Sequence, residues 1–537
     1  MLRRIQLLFG LNALMFFGVC RPTPAATVCV NPTAASGCQS TIGAAVSAAA
    51  AGDTIQVAAG TYKEDVTITK AVSLIGAGSA TTIIDATGLA NGIVIDGSAG
   101  GLSGLVVSGF TVENANLQGV LIQNASQVTV WNNQVINNDK NLNTTAAPPS
   151  CPGLPGPLAQ GESFDCGEGM HLTGVDHSII SNNVVQKNAG GILLSDDTGA
   201  THDNVISGNL VSDNGFDCGI TLASHSGMGV FHNTITGNQS LRNGLKLFGA
   251  GAGVGIFAPG PGSQAYGNVV VGNQLIGNGL PGVAMHNHAA PGVGGVPAGA
   301  PAVVFNDNVI VGNTISGNGA DTEDTATVGP AGINLASIAS TTGTVITQNT
   351  ISGAIAVNFH SPGQMTVALN NFTAGTGVSD VGAGTVEAAA NWWGCTGGPG
   401  GGACAGVIGS ATTSPPLAAP FVASALPPAP VPVTPPGSGV VTIVITGAAG
   451  TTSASNTFQA VGNAITLNAS TSSSTVAGPL SYSWTESTGY PPAQISGATT
   501  ATPTIQFSLH GTYQFTLTVT DSTGATATAT VTIENYA

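Results

Sequence analysis

The sequence predicts an all-β protein, a solenoid of short stacked parallel strands followed by a small β-sandwich. Three observations predict it. A glycine-led apolar phrase and an asparagine-flanked strand phrase recur along the first two thirds of the chain, at a basic spacing of twenty-odd residues widened by insertions. Charged residues make up only 6% of the 537, against about 25% in an ordinary soluble domain. A proline-rich run then separates this region from a C-terminal stretch of alternating strands.

The first phrase, Gly-(Ile/Val/Met)-x-(aliphatic or Ala), stands at Gly92, Gly119, Gly169, Gly191, Gly219, Gly255, Gly282 and Gly332. The second, Asn-x-(aliphatic)-x-x-Asn, runs from Asn183 to Asn188, Asn209 to Asn214, Asn233 to Asn238, Asn273 to Asn278 and Asn313 to Asn318. Both alternate apolar with polar residues, the period of a strand with one buried face. Stacked rungs lie about 4.8 Å apart, so like charges at one position repel, whereas amides can hydrogen-bond to each other and to turn backbone. A stack therefore explains a chain with 77 glycines and few charges. Its 42% hydrophobic content and mean hydropathy of +0.31 exclude a disordered chain. Nine Lys and Arg against 25 Asp and Glu, a net charge of −16, exclude a nucleic-acid binder, which needs clustered cations.

The N-terminus reads as an export signal over residues 1–26. Arg3 and Arg4 precede an apolar run from Leu7 to Val19, and Pro22-Thr23-Pro24-Ala25-Ala26 offers small residues for cleavage. The run is shorter than the roughly 20 residues of a membrane span, so no membrane span is expected in the mature chain. In an exported protein the close sequence pairs Cys29–Cys38, Cys151–Cys166 and Cys395–Cys404 are expected disulfides, and Cys218 a buried small residue. None has the CxxC spacing of a zinc site. Thr41 to Ala51 is an alanine-rich amphipathic stretch suited to a helix that plugs the first coil. The two tryptophans of Asn391-Trp392-Trp393-Gly394 can cover the last rung. Residues 412–439 form a proline-rich linker, and strands recur over 440–537.

The glycine-led strands and asparagine corners, over about residues 40 to 395, resemble the right-handed parallel β-helix of the secreted pectin-lyase-like superfamily. The resemblance implies a β-helix with an N-terminal cap over 27–411 and a groove along one sheet, flanked by long turns. Leu480-Ser481-Tyr482-Ser483-Trp484 and the run Gly511 to Gly524 resemble the PKD type of immunoglobulin-like β-sandwich, with Trp484 as its core tryptophan. The Gly-Asp-Gly usual after that tryptophan is absent. The expected whole is a right-handed parallel β-helix followed by a small immunoglobulin-like β-sandwich.

Insertions at 139–168, 239–254 and 319–331 gather on one side of the glycine-led strands and 289–303 on the other, as they do beside a binding face. The outward third position of these strands runs His171, Leu193, Thr221, Phe257, Ala284 and Asn334. His171, Thr221, Phe257 and Asn334 are thus candidate substrate-binding residues, with Asp196 and Asp217 beside them, for a hydroxyl-rich ligand. Six residues after each glycine the register aligns Asp197, His225 and His288 across a gap at Pro259 to Gly262, with His286 alongside. A carboxylate beside an imidazole makes an acid–base pair, so Asp197, His225, His286 and His288 are the candidate catalytic residues. Asp197, His225 and His288 could instead hold a divalent metal. Ser224-His225-Ser226, Asp196-Asp197 and Arg242 to Lys246 resemble polygalacturonase elements in part, but the glycines flanking the histidine are missing and the basic pair is spaced differently. Calcium is the one cofactor suggested, with Glu162, Asp165, Glu168, Asp321, Glu323 and Asp324 as acids able to bind it. The expected function is an extracellular or cell-surface monomer that binds, and processes by cleavage or epimerisation, an extracellular polysaccharide or cell-surface glycan. The alternative is a non-catalytic adhesive or structural rod.

Overall fold

The computed structural model describes residues 26–146, 150–155, 167–246, 251–287, 301–322, 329–400, 402–422, 441–447, 456–460, 464–474, 480–488, 493–507, 511–521 and 526–535. Residues 1–25 of the export signal and 423–439 of the expected proline-rich linker lie outside them, whereas residues 412–422 of that linker are described.

Parallel strands coil from Thr27 to Ile408. A sheet of 13 parallel strands opens at Thr27–Val30 and ends at Thr385–Glu387. A second column passes through Gln134–Ile136, Val184–Gln186, Leu210–Ser212, Gln239–Leu241, Gln274–Ile276 and Thr314–Ser316. A third passes through Val120–Ser126, Glu168–Asp176, Gly190–Ser195, Ile220–Ala223, Val254–Phe257, Val283–His286 and Ala331–Ala336. A short fourth column holds Thr201–His202, Val230–Phe231 and Ala265–Tyr266. In the third column Met170, Ile192, Ile220, Val254, Val283 and Ile333 point inward, as do Leu172, Leu194, Leu222, Ile256, Met285 and Leu335 two places on; all are fully buried. They belong to one apolar core running from Val30 to Ala405. Each such side chain contributes about 1.5–3 kcal/mol by burial.

The corners explain the asparagines. Each coil turns through units of five residues. Three extended residues are followed by one with positive φ and then a buried asparagine, as in Asn204 to Gly208, then Asn209 to Asp213, then Asn214. Asparagines therefore recur three to a coil, at 204, 209 and 214, at 233, 238 and 243, at 268, 273 and 278, and at 308, 313 and 318. The two-asparagine phrase read from the sequence catches two of the three corners, and in the 233–238 instance a different two. The longest ladder runs Asn133, Asn183, Asn209, Asn238, Asn273, Asn313, Asn349, Asn370 and Asn391. The backbone N–H and the Nδ2 of each donate to Oδ1 of the next, at 2.8 to 3.1 Å. Polar groups that a corner would otherwise bury unpaired are satisfied from rung to rung.

A helix, Ile42–Ala48, closes the N-terminal end with Ile42, Ala45 and Val46 buried against the first coils. Its leading amides, Ile42 and Gly43, donate to the two oxygens of Glu64, each at 2.8 Å. Lys70 Nζ donates to the carbonyls of Val46, Ser47 and Ala49 at its other end. At the far end Trp393 is fully buried edge-on to Phe372. The chain stays bound to the last coils as far as Phe421, whose N–H donates to Asn371 Oδ1. Cys29–Cys38 and Cys395–Cys404 are disulfide-bonded, as the sequence led one to expect. Cys151 is also disulfide-bonded, and its expected partner Cys166 lies outside the described residues. The disulfides fit an oxidising compartment. Among the described residues no helix is long and apolar enough to cross a membrane.

The C-terminal module packs a four-stranded sheet and a three-stranded sheet around Trp484, Phe515, Leu517 and Val531. Trp484 is buried, and its indole N–H donates to the Thr500 carbonyl at 3.0 Å.

Candidate functional site

The outer face of the third column carries most of the expected site, and its register decides which residues meet. Thr221 pairs with Gly255, and Ala223 pairs with Phe257. The outward ladder is therefore His171, Leu193, Thr221, Gly255, Ala284 and Asn334, and Phe257 stands two places further on, between Ala223 and His286. The glycine-led phrase predicted at Gly255 sits one glycine too late: in Gly253-Val254-Gly255-Ile256-Phe257 it is Gly253 that occupies the phrase position. A Cβ at Gly255 would run into the Phe257 ring, which explains the second glycine.

This face is covered. His171, Leu193, Ala284 and Asn334 are fully buried, and Thr221 and Phe257 nearly so. Leu193, Cys218, Ala223, Ala252, Phe257, Leu280 and Ala284 form a separate apolar cluster outside the coil's own core. The expected open ladder of binding side chains is thus a packed layer, because Ala252 from an insertion and Leu280 from the turn before Gly282 pack over the strands. Cys218 is buried in it, its Sγ accepting from the Ala252 N–H at 3.2 Å.

Asp197 and His225 do meet. His225 Nδ1 lies 3.0 Å from Asp197 Oδ1, and both side chains are almost completely buried. The other carboxylate oxygen accepts from Ser195 Oγ at 2.6 Å. Having donated its proton, Ser195 Oγ accepts from His171 Nε2 at 2.8 Å, and Gln118 Nε2 reaches His171 Nδ1 at 3.5 Å. The chain of donors fixes the tautomers: His171 carries its proton on Nε2, and His225 carries one on Nδ1 facing an acceptor-only carboxylate. Burial alone would raise the Asp197 carboxyl, but the imidazole of His171 beside it and the hydrogen bond from His225 outweigh burial and hold the group far below the usual carboxylate range. Ser195 and Gln118 were not singled out in the sequence. Ser195 is four residues after Gly191, in the outward column next to the one that was read.

Asp196 has a different task from the expected ligand contact. It is fully buried, and its carboxylate accepts from His225 N, Ser226 N, Gly229 N and Ser224 Oγ at 2.6 to 2.8 Å. Four donors on one carboxylate make it the brace of the turn that carries His225. Asp217 is turned onto its own chain, accepting from the Cys218 N–H at 2.6 Å.

His286 belongs to a second cluster. It lies two rungs beyond Ala223, roughly 10 Å along the coil, with the Phe257 ring against it at 4.6 Å. Its Nε2 is 3.8 Å from Asp321 Oδ2, the oxygen that also accepts from Asn334 Nδ2 at 2.9 Å. Asn358 Nδ2 in turn donates to Asn334 Oδ1 at 2.6 Å. Of the expected catalytic residues, then, Asp197 and His225 are together, His286 is apart, and His288 lies outside the described residues, as do Glu162, Asp165, Glu323 and Asp324. Glu168 is buried on the strand itself, and Asp321 sits in the second cluster. These places bring no calcium-binding set together among the described residues.

Comparisons with known proteins agree with this architecture. Residues 70–270 match the family model described as right handed beta helix region. Residues 453–534 match the family model of a PKD domain. The chain thus carries a right-handed parallel β-helix followed by a PKD-type module. No curated protein sequence matches it. Among solved structures it is similar to the catalytic unit of the thermostable GH87 alpha-1,3-glucanase from Streptomyces thermodiastaticus, at 14% identity and a TM-score of 0.40, over 69% of this chain and 64% of that one. The chain thus spans just under two thirds of that unit's length. It is similar to the mannuronan C-5 epimerase A-module of Azotobacter vinelandii, at 14% identity and a TM-score of 0.43, over 71% of this chain and 94% of that module. The Dettilon tailspike protein is similar over 94% of this chain and 91% of its own, at 11% identity and a TM-score of 0.45.

Proposed function

We propose that this is an exported β-helix protein that engages an extracellular polysaccharide through the outer face of its third strand column, with His225 as its proton-transfer group. The observation that carries the reading is the buried Asp197–His225 pair with His171 and Ser195 behind it. A coil stabilised by aliphatic burial and amide ladders has no need of a carboxylate and two imidazoles in a water-poor layer, where an ion pair is seldom a net source of stability. Asp197 does not donate a proton at neutral pH, since its carboxyl is held ionised. Its part is to orient His225 and fix its tautomer, which leaves Nε2 as the nitrogen that exchanges protons with a sugar hydroxyl, ring carbon or leaving group. Asp196 positions the same residue through the turn.

The second reading, a non-catalytic surface rod, is favoured by the burial of those same side chains. One experiment separates the two. The purified mature chain is incubated with a panel of neutral and acidic polysaccharides, with and without calcium, and assayed for binding, new reducing ends, unsaturated products and epimerised residues. Turnover that falls by about 100-fold or more in His225→Gln, with the fold retained, supports the catalytic reading. Binding without turnover, unchanged in that variant, establishes the rod. No binding to any glycan overturns the glycan-engaging reading and leaves the structural rod.

A further inference from the structure

A different corner of the β-helix holds a second concentration of imidazoles, on the outside and away from the layer described above. Asp176 and His177 close one coil, His202 and Asp203 stand directly above them on the next, and Phe231 and His232 on the one after. Three of the chain's nine histidines are here. His177, Asp203 and His232 occupy the positive-φ place of the five-residue corner unit, with φ of 48°, 55° and 55°, so the coil itself fixes where each side chain leaves the backbone.

The rings are held as well as placed. His202 stacks on Phe231 with centroids 4.9 Å apart and planes 2° from parallel, and Phe231 stacks on Tyr266 at 5.0 Å. His177 stands edge-on to His202 at 6.0 Å. Each imidazole has a carboxylate behind one nitrogen: His177 Nδ1 is 2.7 Å from Asp176 Oδ1, and His202 Nδ1 is 2.8 Å from Asp203 Oδ2. His232 Nδ1 is 3.9 Å from the other oxygen of Asp203. One ligating atom from each of His177, His202 and Asp203 falls within 4.8 Å of the others. These side chains are between about a quarter and a half exposed, so an ion reaches them without any opening of the coil.

We propose that His177, His202 and Asp203 bind a divalent transition ion of the zinc, nickel or copper class, with Asp176 and His232 as supporting groups. Imidazole nitrogen with carboxylate oxygen is the donor set of those ions, whereas calcium and magnesium take oxygen ligands. Asp176 on Nδ1 of His177 is the kind of carboxylate that supports a ligating imidazole from its other nitrogen. An ion held at the roughly 2 Å bond lengths of such sites would draw these three donor atoms, now within 4.8 Å of one another, closer together. The ion would join two successive coils at a solvent-facing corner. The proposal does not depend on the glycan-processing reading, since none of its residues belongs to that site.

The test uses the full mature chain without an affinity tag, stripped of metal with a chelator and titrated with zinc in competition with a chromogenic indicator. One equivalent is expected to bind with a 1:1 stoichiometry and to raise the thermal midpoint. His177→Ala and His202→Ala are each expected to weaken binding roughly 10–100-fold, with circular dichroism unchanged, and Asp176→Asn to weaken it less. His225→Gln is expected to bind zinc as the parent does. A parent chain that takes up no zinc overturns the proposal. So do folded His177 and His202 variants that bind as tightly as the parent, or a loss seen only in His225→Gln.

Discussion

At the scale of single residues, the scarcity of charge makes each charged group's task readable. Glu64 and Lys70 sit at opposite ends of the cap helix, one taking its leading amides and the other its trailing carbonyls. Replacement Lys70→Met is expected to cost about 1–3 kcal/mol in urea unfolding, since it strands three carbonyls and removes a cation from the negative end of the helix. Asp197 is the more sensitive case. Its carboxyl ionises well below the value near 3.9 that it has in an unfolded chain, so the pairing contributes fully above about pH 4 and is lost as the pH falls through the folded value. Asp197→Ala is expected to destabilise the coil by about 3–5 kcal/mol at pH 7, because it leaves His225 and Ser195 buried without their acceptor. The gap between parent and variant should narrow as the pH drops below 4; a gap independent of pH from 7 to 2 would contradict the ionised assignment. Of these roles, the sequence disclosed that Asp197 and His225 are neighbours, because both follow a glycine by six residues. It did not disclose that Asp196 points into the turn, since an outward and an inward carboxylate look alike in a sequence.

At the scale of the strand and corner, the recurring unit is five residues long, and its asparagine ties neighbouring coils together through both its side-chain oxygen and its amide nitrogen. Asn238 accepts from two donors of Asn209 and donates to Ile206 O and twice to Asn273 Oδ1. Asn238→Ala is expected to cost about 3 kcal/mol or more by chemical denaturation, since it orphans several buried groups at once. Asn133→Ala, at the first rung, should cost a comparable amount, since Asn133 Oδ1 accepts from the Phe110 N–H and its Nδ2 donates to Val107 O, Trp131 O and Asn183 Oδ1. The repeat was legible because strands alternate and asparagines recur, and it led to the fold and to both of its ends. The register at Gly255 was not, because two glycines in one strand offer two alignments and only the packing of Phe257 selects between them. The burial of the outward ladder was hidden for a related reason: periodicity tells which residues leave the coil, and says nothing of the insertions that then cover them.

At the scale of the whole molecule, cohesion comes from an apolar core and amide ladders, with few ion pairs among the described residues. Raising sodium chloride from roughly 0.05 to 0.5 M is accordingly expected to leave the urea midpoint almost unchanged, because there is little Coulomb attraction to screen. A large loss of stability with salt would show that surface charge pairs matter more than this account allows. The ladders also have a direction. In every link the donors belong to the earlier coil and the accepting oxygen to the later one, from Asn133 to Asn391. Asn391 Nδ2 then donates to Val367 O and Ala388 O, and among the described residues no further asparagine continues the ladder. Each described coil of the ladder thus presents N–H groups to the oxygen of the coil after it, and Asn391 turns its own onto carbonyls instead. A break inside the ladder would leave the donors of its new last asparagine without the oxygen they now reach, so the coils depend on their successors as well as on their own burial.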